Sequence, residues 1–123
     1  MRRLIMSVVA IGLVSSACST GASDAGFQLD EFTIEGPNGL IAGDHELTVS
    51  NVGEFPHTLV VTDGAGRVVA ASDLIQPGEI AGLSVDLADG RYVFSCRIVA
   101  QNDSGEIFDH FEAGMTATVD VSG

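Results

Sequence analysis

Seven short runs of alternating apolar and polar residues, most of them closed by a cluster of Gly, Pro, Asn or Asp, leave few folds open to this chain. They are "FQLDEFTI" (27–34, closed by "EGPNG"), "HELTVSNVG" (45–53), "TLVVTD" (58–63, closed by "GAG"), "RVVAASDL" (67–74, closed by "QPGE"), "IAGLSVDL" (80–87, closed by "ADG"), "RYVFSC" (91–96) and "MTATVDV" (115–121). A period of two puts successive side chains on opposite faces of a strand, so each run offers one face to a core and one to water. No window sustains a helical period. Strands this short at roughly ten-residue intervals predict an all-β β-sandwich of about seven strands. In the second run Leu47 and Val49 share the inner face, with His45, Glu46, Thr48 and Ser50 read as outward. Residues 97–114 show no pattern, and an unstructured connection of that length in so small a domain is functional or mobile.

The N-terminus belongs to a different category. Arg2 and Arg3 precede the apolar run "LIMSVVAIGLV" (4–14), then small residues, then Cys18. That order reads as a secretory signal over residues 1–17, with an apolar core too short to span a bilayer. "SSA" before Cys18 resembles the lipobox of bacterial lipoproteins, in which the Cys becomes the lipidated first residue. Ser15 stands where that motif usually carries a large aliphatic residue, so an ordinary cleaved signal is the other reading. The Gly/Ser-rich residues 18–26 read as a flexible tether and residues 27–123 as the folded domain. The expected location is the bacterial cell envelope: exported, and lipid-anchored at the outer face of the cytoplasmic membrane or in the periplasm.

Beyond the signal only Arg67, Arg91 and Arg97 are basic, against seventeen Asp and Glu, a balance of −14. Such a surface repels phosphates, which argues against nucleic acid. It also argues against adhesion to anionic headgroups, leaving the lipid anchor as the sole expected membrane contact. Solubility is the plain reading of the charge; steering toward a basic partner is the functional one.

No catalytic arrangement stands out. "GAG" (64–66) lies in a turn with no helix after it and is no phosphate loop. The two cysteines of an exported chain suggest a disulfide, but if Cys18 is acylated, Cys96 is left over and must be buried, reactive or bound to something. Cys96 ends the sixth run, while His110 and Met115 flank the start of the seventh in "HFEAGM". His57 follows Pro56 at a strand boundary. Taken singly these are a turn histidine, a buried thiol, a surface histidine and a core methionine. Together they supply two imidazoles, a thiolate and a thioether, the ligand set of a trigonal blue-copper centre with a weak axial Met.

Over residues 27–123 the chain resembles the cupredoxins, the plastocyanin-like family of small copper-binding sandwiches, which implies a Greek-key order for its strands. The resemblance rests on "NVGEFPHTLVV" (51–61), "PGE" (77–79), "GRYVFSC" (90–96) and "HFEAGM" (110–115), in order. It implies one copper, cycling between Cu(I) and Cu(II), held by His57, Cys96, His110 and Met115. It also implies a single-electron carrier serving redox partner proteins, no enzyme activity, and an apolar surface patch at His110, here from Phe55, Phe108 and Phe111. Two departures stand out. Cys96 and His110 are fourteen residues apart, farther than usual, which places His110 at the end of a long connection, mobile and exposed to protonation. Thr58 replaces the Asn that often follows the first His, and its hydroxyl is expected to do part of that residue's work. An envelope copper carrier or buffer, and a metal-free interaction module, remain open as alternatives.

Overall fold

Eleven strands carry the backbone in the computed structural model, which describes residues 23–123, with side chains from residue 25. They are β1 (Ser23–Asp30), β2 (Thr33–Glu35), β3 (Gly39–Ile41), β4 (Gly43–Asn51), β5 (Val60–Thr62), β6 (Val68–Ala71), β7 (Ile80–Leu87), β8 (Gly90–Ser95), β9 (Val99–Gln101), β10 (Ile107–Asp109) and β11 (Thr116–Ser122). No helix occurs among the described residues. The expected signal, Cys18 and the first part of the expected tether lie outside them.

Two sheets face each other, one ordered β2-β1-β4-β7 and the other β3-β11-β8-β5-β6, with β9 and β10 forming a separate ribbon. β1 runs parallel to β4 and β3 parallel to β11; the other pairs are antiparallel. The core forms where the alternation of each strand points inward. Leu47 and Val49 of β4, Leu83, Val85 and Leu87 of β7, Tyr92 and Phe94 of β8, and Val119 and Val121 of β11 are buried. Phe27 and Phe94 bridge the two sheets with ring centroids 4.9 Å apart. Truncating an aromatic of this kind costs about 3–5 kcal/mol, since the site cannot fully collapse. The Tyr92 hydroxyl donates to the Ala88 carbonyl at 2.8 Å, so its polar tip is satisfied.

The architecture is the expected sandwich, and the differences have identifiable causes. The first run divides into β1 and β2 because the chain reverses at Glu31–Phe32, where Phe32 adopts φ 66°. That left-handed conformation is unusual for a bulky residue. β3 was hidden because three residues are too few for an alternation to register. The connection 97–114 is not unstructured: β9 and β10 pair as a hairpin, Val99 opposite Asp109. β1 begins at Ser23, so residues 23–26, expected in the tether, pair with the start of β4. His45 is not outward. It is buried on the same face as Leu47 and Val49, and its Nε2 lies 2.6 Å from the Ile41 carbonyl oxygen.

Register brings several strand ends to one end of the sandwich. Leu29 pairs with Asn51 in the first sheet, while Val60 and Thr116 both pair with Ser95 in the second. The segments that follow or precede these residues carry the candidate donors.

Candidate metal centre

His57 sits between β4 and β5, and its backbone is pinned before its ring is placed. Its N–H donates to the Ile75 carbonyl at 3.0 Å and its carbonyl accepts from Ile75 N–H at 2.8 Å. Pro56 fixes the approach. Asn51, buried at the end of β4, closes the loop: its Nδ2 donates to the carbonyls of Phe55 and Ile75, each at 2.8 Å, and its Oδ1 accepts from Gly53 N–H at 2.9 Å. All three bonds are to backbone, so one side chain ties the turn to the opposite segment. The "QPGE" turn adds to this, because Gly78, with φ 82°, lets its N–H reach the Asn51 carbonyl at 2.9 Å.

Cys96 follows β8. It is a free thiol with no exposed surface, and its N–H donates to the Met115 carbonyl at 3.2 Å. Thr58 covers the sulfur from the His57 side, with its N–H 3.5 Å and its hydroxyl 3.9 Å from Sγ. The Thr58 hydroxyl oxygen also accepts from Arg97 N–H at 3.5 Å. The Thr58 hydroxyl thus links the segment after His57 to the segment after Cys96.

His110 follows β10, and here the structure corrects the expectation of an exposed histidine. It is buried, with 4 % of its surface accessible. Its N–H donates to the Ile98 carbonyl at 3.0 Å, and its ring packs edge-on against Phe32 and Phe108 with centroids 5.3 and 5.9 Å away. The ribbon that replaces the expected loop holds it there. Beyond it, Asp109 Oδ1 accepts the N–H groups of Phe111 and Glu112, and the chain turns tightly to Gly114, whose φ of 99° a side chain would resist. The Arg97 guanidinium stacks on Phe111, 4.1 Å from the ring centroid, so the residues after Cys96 and after His110 are clamped together. Met115 is fully buried. Its N–H donates to the His110 carbonyl at 3.1 Å and its carbonyl accepts from Cys96, which links it through the backbone to both.

The ring nitrogens and the sulfur converge. Nδ1 of His110 lies 3.5 Å and Nδ1 of His57 3.9 Å from Cys96 Sγ, and one donor atom from each of the three residues falls within 4.8 Å of the others. Bonds of about 2.0–2.3 Å from a central ion to nitrogen and sulfur imply donor separations of roughly 3.6 Å in a trigonal plane, so the triangle has the size of a metal centre.

Electrostatics keep the imidazoles available. Burial pushes the pKa of His57 below its ordinary 6.5, with Glu31 and Asp30 opposing. Burial also lowers His110, helped by the neighbouring His57 and opposed by Asp109 and Glu31. Both rings are therefore neutral near pH 7, with a lone pair to offer. Glu31 reaches this cluster from the β1–β2 turn, its Oε1 lying 3.5 Å from His57 Nε2. Burial raises its pKa, but hydrogen bonds from the N–H groups of Phe55 and Glu54 outweigh that and hold it at about 2.

Three of the four expected ligands are thus gathered by their donor atoms and the fourth by its backbone, while Cys18 lies outside the described residues. Asn51 and Glu31 were not anticipated. Asn51 could have been found as a polar residue at the inward phase of β4. Glu31 is one of seventeen acids and carries no distinguishing pattern.

No protein-family model matches the chain, and no curated protein matches it in sequence. Solved structures do match in fold. Auracyanin B is similar with a TM-score of 0.65 at 16 % identity, over 87 % of this chain and 94 % of that one. The auracyanin of Roseiflexus castenholzii gives 0.61 at 18 %, over 84 % and 100 %. Auracyanin A, a "blue" copper protein from Chloroflexus aurantiacus, gives 0.59 at 14 %, over 80 % and 99 %. Strand order, register and these likenesses agree that the chain has the cupredoxin fold.

Proposed function

We propose that this chain is an exported type 1 (blue) copper protein that carries single electrons between redox partner proteins. One observation carries the reading: two neutral imidazoles present Nδ1 to a buried, unpaired thiol at 3.5 and 3.9 Å. His57, Cys96 and His110 are the equatorial ligands and Met115 the weak axial donor. Bound there, copper supplies a centre that exchanges one electron between Cu(I) and Cu(II) in a donor set acceptable to both.

The residues around it serve that exchange. The bonds of His57 to Ile75, of Cys96 to Met115 and of Met115 to His110 hold the donors, so little movement accompanies a change of charge. Four protein donors in a buried pocket leave no open position for a substrate, which favours a carrier over an enzyme. Phe55, Phe108 and Phe111 are exposed around His110, and an apolar groove of about 350 Å³ lies against its ring. That face suits contact with a partner, and the acidic surface suits a partner with a basic docking surface. Residues 1–17 as a signal and Cys18 as the lipidated residue would keep the carrier at the envelope membrane.

Exchange kinetics separate this role from copper carriage, which would use the same ligands. The copper-loaded chain is expected to show fast electron self-exchange and slow loss of Cu(I) to a competing chelator at neutral pH. Rapid handover of Cu(I) with sluggish electron exchange would instead identify a copper carrier.

A further inference from the structure

Nε2 of His57 is buried and makes no hydrogen bond. With Nδ1 kept free to bind a metal beside the Cys96 sulfur, a neutral ring carries its proton on Nε2. A buried N–H without an acceptor costs about 1–3 kcal/mol. The carboxylate facing it is Glu31, with Oε1 at 3.5 Å, a few tenths of an ångström beyond a good N–H···O distance.

Glu31 is built into that place. Its Oε1 accepts the N–H of Glu54 at 2.6 Å and of Phe55 at 2.9 Å, both in the loop that leads to His57. Gly53 leaves the room: a Cβ there would land on the carboxylate, 2.8 Å from Oε2. The turn that presents Glu31 contains the left-handed Phe32, whose ring meets His110. Strain of this kind, about 1–3 kcal/mol, persists where surrounding structure enforces it and gathers at functional sites.

We infer that Glu31 is a positioning and tuning residue of the centre, taking the Nε2 proton of His57 in a hydrogen bond that fixes the ring with Nδ1 toward the metal. The inference rests on the copper reading above. A carboxylate acceptor makes the opposite nitrogen a stronger donor, which favours Cu(II) over Cu(I) and lowers the reduction potential.

The test uses the full chain, metal-free and copper-loaded. Nitrogen-resolved imidazole NMR of the metal-free chain should show His57 protonated on Nε2. Glu31→Gln keeps an acceptor oxygen but removes the charge. Cu(II) affinity should fall about 10-fold or more, Cu(I) affinity should fall less, and the potential should rise. Gly53→Ala keeps the charge but displaces the carboxylate, and should move the potential the same way. His57 protonated on Nδ1 in the metal-free chain would overturn the inference. So would an unchanged Cu(II)/Cu(I) affinity ratio in both variants, even with lowered thermal stability, because that would make Glu31 a loop fastener only. Should Glu31→Gln fail to fold, the tautomer and Gly53→Ala decide. A wild-type chain that binds no copper would strike the copper reading and leave the tautomer to judge the His57–Glu31 bond.

Discussion

The N–H of Thr58 points at the sulfur of Cys96 from 3.5 Å, and its hydroxyl lies 3.9 Å from the same atom. In the copper-loaded chain both contacts would draw electron density from the Cys96 thiolate. Sulfur–metal donation favours Cu(II), so weakening that donation raises the potential. Thr58→Val keeps the shape and the N–H but loses the hydroxyl, along with the acceptor of Arg97 N–H. The copper-loaded variant is expected to have a lower potential and about 1 kcal/mol less stability. Voltammetry and thermal melting check both, and an unchanged potential would mean the hydroxyl does not act on the sulfur.

Met115 is fully buried and bonded through its backbone to Cys96 and His110. As the proposed axial donor it is expected to tune the metal more than to hold it. Met115→Leu should keep the colour and raise the potential, because a thioether that favours Cu(II) is lost. Met115→Gln should lower it, since a harder oxygen donor favours Cu(II) further. Potentials that stay put in both variants would reduce Met115 to a core residue.

The metal-free chain should lose stability in acid in two stages. His57 and His110 have folded pKa values below 6.5, so between those values and 6.5 the unfolded chain binds more protons than the folded one. Their contribution is complete above about pH 6.5 and is lost as pH falls, with a slope of at most about 1.4 kcal/mol per pH unit for each ring. Glu31, lowered from 4.5 to about 2, adds stability above 4.5 that is lost between 4.5 and about 2. Denaturant melts from pH 8 to 3 check this. Stability that rises on acidification from pH 6.5 would contradict the burial of the two rings.

How much of this was legible in the sequence follows from the range over which each signal acts. Period-two alternation marks β4, β7, β8 and β11 clearly, because each runs six residues or more with one face in the core. The three-residue strands β3, β9 and β10 are too short to carry a pattern. Their pairing is fixed by tertiary contact, which is why residues 97–114 read as an open loop and His110 as exposed. The donor residues were visible because their chemistry is rare in this chain: three histidines, and one cysteine outside the N-terminal segment. The residues that hold them were not. Asn51 acts through backbone groups, and Glu31 acts across a gap of twenty-six positions that only the fold closes.

Titration of the full-length chain with Cu(II), followed by visible absorption and electron paramagnetic resonance, tests the central claim most directly. Wild type should bind one equivalent and turn blue or green-blue through charge transfer from the Cys96 thiolate. Cys96→Ser should lose the colour while keeping the fold. Copper-loaded wild type that stays colourless, or Cys96→Ser that keeps the same intense band, would contradict the blue-copper assignment.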